Sequence, residues 1–385
     1  MTQQPLRILA MADMPPDPNL GAAGTEVRTI EALRELGHDV DAIWDDALGR
    51  RIRHGNLHLL LELPRAYEHA LLTAFRRGQY DVVHVNQPHG FRAAHALHRI
   101  SPRSVFIHRS HGFELNAEAT LRPWRRTAPD ERAFLRRIAS RAIAPLMARR
   151  SRAIASAADG HIVYASCDGD FLRERLHVDA AKIAVIPAAS PDEYIASDAP
   201  AITPERLRSV LYVGQYAFFK APAVTAASIN RLARQRQDLT FAWVCERRHH
   251  DVVRSLITPE ANARLDLRDW MPQDQLIESY DRSGIFLFPS FYEGFGKVFL
   301  EAMSRGLCVI ASDVGGMHDT IEHGVNGILC PPGNAEPFAD AALALVNDPS
   351  RAAVMGAAAA RTARQYTWRR VAEETADFYY ARLAR

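Results

Sequence analysis

Short runs of apolar residues alternate with longer segments of helical periodicity through the first half of the chain. After a Pro/Gly loop at 15–24, apolar positions recur at helical spacing from about Thr25 to Leu36, and Gly37 is a natural helix C-cap. Strands that alternate with helices favour a parallel sheet with helices on both faces. The strands predicted in this half are Leu6–Met11, Asp39–Trp44, Val82–Val85, Ser104–His108, Gly160–Tyr164 and Ile183–Ile186.

The alternation stops in a linker near 190–206, which is rich in Pro, Ala, Ser and Asp, and then restarts. A glycine turn follows the first new strand, a helix begins near Ala223, and a last helical segment covers Trp368–Leu383. The second half therefore repeats the α/β pattern of the first. Its predicted strands are Ser209–Val213, Thr240–Cys245, Ile285–Phe288, Val309–Ser312 and Gly327–Leu329.

The length of 385 residues is too great for one ordinary domain and suits two. With 48% hydrophobic residues, the chain has enough apolar side chains for two cores. We predict an α/β fold with an N-terminal Rossmann-like domain at 1–195 and a C-terminal one at 196–365. A terminal helix at 366–385 can pack back on the first domain.

Charge and cysteine content narrow the function classes. A net charge of +2 gives no sign of a nucleic-acid partner. The four cysteines are far apart and form no CxxC pair, so we expect reduced thiols and neither disulfides nor a zinc site. The first fourteen residues lack the pattern of a signal peptide, and no segment approaches ~20 apolar residues. We expect a cytoplasmic protein with, at most, peripheral membrane contact.

A basic segment at 122–152 is the exception to this even charge distribution. It holds ten arginines against only Asp130 and Glu131, and its apolar residues from Phe134 onward recur at helical spacing, with a kink expected at Pro145. Such a helix is more often a solvated face than a binding surface. The alternative is docking on an anionic membrane, which would bring the protein to a lipid-linked acceptor.

The strongest chemical signal is the stretch from Phe286 to Met303, FLFPSFYEGFGKVFLEAM. A buried strand enters a glycine-containing loop, and a helix begins near Lys297. Free N–H groups at a helix N-terminus suit a phosphate. Glu293 precedes this helix and Glu301 lies just inside it, so both carboxylates can accept hydrogen bonds from one hydroxylated ligand.

This stretch resembles the signature of the retaining GT-B glycosyltransferases of family 4 (glycosyl transferases group 1). Similar segments follow at 311–316, 322–327 and 331–333, and the likeness extends thinly over most of the chain. The resemblance implies two Rossmann-like domains with parallel sheets facing across a cleft. It also implies a nucleotide-sugar donor, UDP-sugar first and GDP-mannose second, no metal or other cofactor, and a glycan, lipid-linked or small-molecule acceptor. It further suggests polysaccharide biosynthesis as the pathway.

The resemblance also assigns roles to particular residues. His111, Lys220 and Glu293 would approach the reacting sugar and the diphosphate, and Glu301 would bind the donor ribose. Among the remaining positions, the glycines at 21 and 24 form a turn beside the phosphates, residues 269–271 lie near the nucleobase, and the others contact the donor. These are Gly21, Gly24, Gln215, Phe295, Gly296, Lys297, Asp269, Trp270 and Met271.

Gln215 departs from the family, which usually has arginine directly after the glycine at 214. A neutral side chain forfeits a charge-assisted contact worth ~1.5–3 kcal/mol. The sequence contains no HExxH, and no Asp-x-Asp stands where a metal would bridge a diphosphate, so a metal-independent reaction is expected. Two alternatives stay open: a GT-B nucleotide-sugar epimerase or phosphorylase, and a non-catalytic GT-B binding protein.

Overall fold

The computed structural model describes residues 4–52, 55–127, 134–195 and 197–384, with the side chains at 56 and 127–142 left undescribed. The chain divides into two compact units of interleaved segments. Unit 1 comprises Met1–Ala119, Arg125–Ala188 and Trp368–Arg385, and unit 2 comprises Thr120–Trp124 and Ala189–Thr367.

Unit 1 contains a six-stranded sheet in the order β2-β1-β3-β4-β5-β6, and every neighbouring pair is parallel. Strands β1, β3, β4 and β5 are almost wholly buried, so their sequences are mostly apolar rather than alternating, and the polar residues within them, such as His84 and Arg109, are buried as well. The strands are β1 (Arg7–Met11), β2 (Asp39–Ile43), β3 (Val82–Asn86), β4 (Val105–Arg109), β5 (Gly160–Val163) and β6 (Ile183–Val185).

The helices of this part of the chain connect successive strands, as parallel pairing requires. They are α1 (Gly21–Glu35), α2 (Asp45–Leu48), α3 (Gly55–Leu57), α4 (Leu63–Arg77), α5 (Phe91–Ile100), α6 (Glu114–Thr127), α7 (Phe134–Ala157) and α8 (Ser166–Leu176). A π-helical turn at His58–Glu62 precedes α4, and 3-10 turns occur at Pro88–Gly90 and Ala180–Lys182.

Unit 2 contains a second parallel sheet of six strands in the order β12-β11-β10-β7-β8-β9. Its central strands β10 and β11 are buried along their whole length. The strands are β7 (Ser209–Val213), β8 (Thr240–Val244), β9 (Leu265–Arg268), β10 (Ile285–Phe288), β11 (Cys308–Ser312) and β12 (Ile328–Cys330).

The helices of unit 2 surround this sheet, and the last helix of the chain returns to unit 1, where it packs on α1. Within the sequence of unit 2 the helices are α9 (Asp192–Ile195), α10 (Pro204–Leu207), α11 (Pro222–Gln235), α12 (His250–Leu256), α13 (Pro259–Asn262), α14 (Gln273–Arg282), α15 (Lys297–Ser304), α16 (Gly315–Thr320), α17 (Ala335–Asn347) and α18 (Pro349–Ala363). The returning helix is α19 (Trp368–Leu383). Further 3-10 turns lie at Phe218–Lys220 and Arg247–His249.

Three details differ from the sequence predictions. Helix α1 begins at Gly21 rather than Thr25, so the expected loop at 15–24 is shorter. Strand β9 was not predicted, because Leu265–Arg268 alternates polar and apolar residues as an edge strand does. The linker near 190–206 contains the short helices α9 and α10.

The basic segment at 122–152 is helical where the structure describes it, in the C-terminal end of α6 and in α7, and residues 128–133 lie outside the described ranges. Pro145 lies inside α7. Arg150 is buried and donates to the backbone oxygens of Leu59 and Leu60, so this arginine serves packing rather than the surface. No helix in the described ranges is long and apolar enough to cross a membrane.

Candidate active site

The topology of unit 2 brings two loops together at the centre of its sheet. The chain runs from β7 to β8 and β9 on one side, then returns to β10 on the other side of β7. Ligands of open α/β sheets bind at such a reversal, outside the carboxyl ends of the strands. The loop after β7 carries Lys220 and the loop after β10 carries Glu293. A backbone hydrogen bond of 2.7 Å from the Phe291 N–H to the Phe219 oxygen joins the two loops.

A buried ion pair lies at this junction. Nζ of Lys220 is 2.7 Å from Oε1 of Glu293, and the two side chains are only 13% and 7% exposed. The hydroxyl of Ser290 donates to the same carboxylate oxygen at 2.7 Å. Nζ of Lys220 also lies 4.7 Å from the centre of the Phe288 ring, which favours the ammonium group at this place. The charged groups are therefore held in position before any ligand binds.

Glycines define the path of the loop after β10. Gly296 has a φ of 92°, a left-handed conformation that precedes the first turn of α15. A Cβ atom at Gly315 would lie 2.2 Å from the carbonyl oxygen of Glu293, and one at Gly316 would lie 2.6 Å from that of Phe295. The N-terminus of α16 thus packs directly on the loop backbone, which explains the glycine pair at 315–316.

Glu301 lies on α15, in which every residue from Phe299 to Ser304 is buried. The Tyr280 hydroxyl donates to its Oε2 at 3.1 Å. Burial raises the pKa of the Glu301 carboxyl, and the charges of Lys297 and Lys220 and the Tyr280 hydrogen bond offset only part of that rise. A buried carboxylate with one hydroxyl partner retains lone pairs for a ligand's hydroxyl groups.

The other predicted donor residues of unit 2 lie at the same edge of the sheet. Gln215 follows β7 and is exposed, whereas Phe295 is buried and packs on Phe299. After β9, Asp269 accepts hydrogen bonds from the backbone N–H groups of Arg247 and Trp270 at 3.0 and 2.8 Å, and Trp270 is 45% exposed. The neighbouring Met271 accepts from the Ser279 hydroxyl at 3.6 Å.

In unit 1, Gly21 and Gly24 lie in the first turn of α1 instead of a separate turn. The prediction of a glycine turn is therefore wrong in its boundary, because the helix begins four residues early. Gly24 still has a steric role, since a Cβ there would lie 2.3 Å from the Pro18 oxygen, whereas nothing lies within 4 Å of one at Gly21. Of these two glycines, therefore, Gly24 is the one whose missing side chain lets the preceding loop contact the helix.

His111 follows β4 and is bounded by groups that the sequence did not reveal. Its Nδ1 lies 3.1 Å from the Tyr164 hydroxyl, and its Nε2 lies 3.3 Å from Oε1 of Glu26. Both ring nitrogens therefore face protein groups of unit 1. Tyr164 follows β5, and Glu26 lies on α1 two residues after Gly24, so neither is near His111 in sequence. In unit 2, Tyr280 was missed because it is 21 positions from Glu301 in the chain, and Ser290 was missed because a single serine carries no distinctive signal.

Within the described ranges, no group of three His, Cys, Asp or Glu residues is arranged to hold a metal ion. The described thiols of Cys167, Cys245, Cys308 and Cys330 are free.

Comparison with known proteins identifies the class. Residues 21–189 match the family described as Glycosyltransferase Family 4, and residues 208–348 match Glycosyl transferases group 1. Sucrose-phosphate synthase from Thermosynechococcus elongatus has a similar fold, with a TM-score of 0.75 at 19% identity over 97% of this chain and 98% of that one. The HepE protein of Anabaena in complex with UDP gives a TM-score of 0.68 at 17% identity over 97% and 99%. The two parallel-sheet units thus define a protein of the GT-B glycosyltransferase class.

The chain thus contains a Glycosyltransferase Family 4 domain followed by a Glycosyl transferases group 1 domain, and the family resemblance inferred from its sequence is confirmed. A D-inositol 3-phosphate glycosyltransferase of Streptomyces avermitilis is 27% identical over 340 residues, which cover 83% of this chain and 69% of that protein. Other relatives with the same name match over only 42% to 45% of their own length.

Proposed function

We propose that this protein transfers a sugar from a nucleoside-diphosphate donor to a hydroxyl acceptor with retention of configuration. The observation that carries the proposal is the Lys220–Glu293 pair at the strand reversal of unit 2, beside the N-terminus of α15. A cation and free backbone N–H groups suit a diphosphate leaving group, and a fixed carboxylate suits sugar hydroxyls. UDP is the favoured nucleotide and GDP the second, because HepE, of similar fold, was crystallised with UDP.

The groups around the candidate residues argue against a protein base. Glu293 is neutralised by Lys220 and accepts from Ser290, and His111 has both ring nitrogens facing Glu26 and Tyr164. We therefore propose that the bond from the anomeric carbon to the phosphate oxygen breaks while the acceptor oxygen bonds to that carbon on the same face. The departing phosphate oxygen takes the acceptor proton, and His111 positions the sugar. Charge on the diphosphate is offset by Lys220, Lys297 and the helix N-terminus, without a metal.

The experiment combines binding with turnover. Thermal shifts with UDP, GDP and inorganic phosphate are followed by mass spectrometry of products from a panel of nucleotide sugars and acceptors, with and without EDTA. We expect stabilisation by a nucleoside diphosphate and formation of a product with the donor's anomeric configuration. Glu293→Gln should abolish turnover, whereas Glu278→Gln, on an exposed face of α14, should not. Stabilisation by phosphate alone would favour a phosphorylase, and an inactive wild type that binds nucleotide would favour a binding protein.

For the acceptor, we propose a lipid-linked molecule. The protein would reach it through peripheral contact of the basic segment at 122–152 with an anionic membrane. Arg149 and Arg152 are exposed in the described part of this segment, which leaves them free to approach phosphate headgroups. The test is co-sedimentation with vesicles of neutral lipid and of neutral plus anionic lipid. Binding to the anionic vesicles alone, weakened by salt, supports the proposal, and equal binding to both would contradict it.

A further inference from the structure

A cluster of charged and titratable side chains is buried inside unit 1, and the proposed chemistry does not use most of it. Its centre is Glu26, on α1, which is 2% exposed. Oε1 of Glu26 lies 3.3 Å from Nε2 of His111 and 3.8 Å from Nη1 of Arg109. Oε2 lies 3.4 Å from Nε2 of His84. A carboxylate this deeply buried is tolerated only when opposite charge and polar groups surround it.

The terminal helix α19 closes this cluster from the other side. Arg109, which is fully buried, donates from Nη2 to the Thr375 hydroxyl at 2.9 Å and from Nη1 to the Thr29 hydroxyl at 3.0 Å. Nδ1 of His84 makes a short hydrogen bond with the Tyr379 hydroxyl. Thr375 and Tyr379 both belong to α19, so this helix fixes the two side chains that flank the carboxylate.

The charge states of the cluster follow from its surroundings. Burial alone would raise the pKa of Glu26, but the Arg109 charge and the contacts with His111 and His84 bring it well below its usual value. Burial lowers the pKa of His84 despite the neighbouring carboxylate. Glu26 is therefore ionised at neutral pH and faces one permanent cation and two imidazole rings.

His111 is the member of the cluster that is least enclosed, with 12% of its side chain exposed. The distance from its Nε2 to Glu26 suits a hydrogen bond, but the angle does not, and Nε2 has no other partner among the described residues. Catalytic hydrogen bonds are often poorly aligned without substrate and improve when it binds.

We propose that Glu26 is a positioning residue for His111, and that α19 holds Glu26 in place through Arg109 and His84. The inference rests on the proposed function, because it assumes that His111 approaches the transferred sugar. Glu26 accepts the proton of Nε2, which leaves Nδ1 to accept from Tyr164 and fixes both the tautomer and the orientation of the ring. A carboxylate that orients a histidine is a recurring device in enzymes.

The test compares Glu26→Gln with Glu31→Gln, which removes an exposed carboxylate from the same helix. Nitrogen-15 NMR of ring-labelled histidine, with the His111 signals assigned by their loss in His111→Gln, reports the tautomer without any substrate. In Glu26→Gln we expect altered His111 ring shifts, kcat lower by roughly 10- to 100-fold, and a donor KM changed less than about twofold. Glu31→Gln should match the wild type, and Glu26→Asp should recover part of kcat.

A second pair of variants tests the role of α19 and protects against a folding failure of Glu26→Gln. Tyr379→Phe removes the hydroxyl that contacts His84, and Tyr380→Phe removes a neighbouring one that donates to the Gln4 oxygen at the surface. Only Tyr379→Phe should move the His111 ring signals and lower kcat. Unchanged His111 signals in both Glu26→Gln and Tyr379→Phe would overturn the inference. A wild type inactive with every donor would instead overturn the proposed function, while the NMR comparison would still decide the contact with Glu26.

Discussion

The ammonium group of Lys220 and the carboxylate of Glu293 form an ion pair of 2.7 Å, although 73 positions separate them in the chain. The pair exists because parallel strands β7 and β10 are neighbours and their carboxyl ends meet at one edge of the sheet. The ion pair fixes the positions of Lys220 and Glu293, the two predicted catalytic side chains of unit 2, relative to each other. Because the pair is buried, removal of either side chain leaves the other charge in the interior without an opposite charge.

Loss of Lys220 should therefore cost stability as well as activity. Lys220→Met leaves the Glu293 carboxylate buried without its cation, and breaking a buried pair costs ~3–5 kcal/mol. The Ser290 hydrogen bond remains, so we expect a loss near the lower figure, measured by urea unfolding, together with loss of turnover. Lys182→Met, at a partly exposed lysine of unit 1, is the control.

The double variant Lys220→Met/Glu293→Gln completes a thermodynamic cycle. It removes the unpaired charge and should regain part of the stability, while remaining inactive. A double variant whose loss of stability equals the sum of the losses in Lys220→Met and Glu293→Gln would mean that the pair contributes little to folding.

Glu301 should carry a stability cost that depends on pH. Burial raises its pKa above the unfolded value of 4.5, so the folded protein is favoured below that value and loses stability as pH rises through the folded pKa. Glu301→Gln removes this loss. The variant should unfold at a higher temperature than the wild type at pH 8, with little difference at pH 4.

The same substitution should weaken nucleotide binding, because the neutral amide replaces a charged acceptor worth ~1.5–3 kcal/mol, or about tenfold or more in Kd. Calorimetry with UDP measures it. A variant that is both less stable at pH 8 and equally tight for UDP would contradict the assignment of Glu301.

Gly24 and Gly21 should respond differently to the same change. An added methyl group at Gly24 meets the Pro18 oxygen at 2.3 Å, whereas one at Gly21 meets nothing within 4 Å. We expect Gly24→Ala to lower the free energy of unfolding by ~1–3 kcal/mol. Gly21→Ala should be neutral or stabilising by up to ~1 kcal/mol. Equal effects in thermal denaturation would show that the contact between loop and helix does not matter.

Gln215→Arg should restore a cation beside the proposed diphosphate. Because this position is exposed, solvent screens the added charge, and a gain of only ~0.2–1 kcal/mol in UDP binding is expected, or about 1.4- to fivefold. The gain should disappear at high salt. Gln237→Arg adds the same charge at another exposed place in unit 2, and an equal gain there would exclude a local contact.

The strands and the donor-type loop could be predicted because their signals are local. Buried parallel strands such as β10 are continuous apolar runs, and the glycine at 296 marks a turn before α15. The repeated α/β pattern indicated two domains, and the family resemblance then supplied the glycosyltransferase class. The start of α1 at Gly21 was missed, because glycine has a low helix propensity and here packing of α1 on α19 outweighs it.

The partners of the site residues could not be predicted, because they arise from packing between distant segments. Glu26, on α1, contacts His111, which follows β4, because both lie in the interior of unit 1. Tyr280, on α14, contacts Glu301, on α15. No sequence period encodes such a contact. The exact set of groups around each carboxylate therefore required the structure.

Because α19 belongs to unit 1 but follows all of unit 2 in the chain, the ribosome delivers the two parts of unit 1 at different times. Synthesis at ~5–20 residues per second puts roughly 10 to 40 s between them. During that interval Arg109 and His84 lack Thr375 and Tyr379, and the surface of α1 that meets α19 is open to water or to a chaperone. A nascent chain stalled before Trp368 should therefore have an incompletely assembled unit 1 that is prone to aggregate, even if unit 2 has already folded.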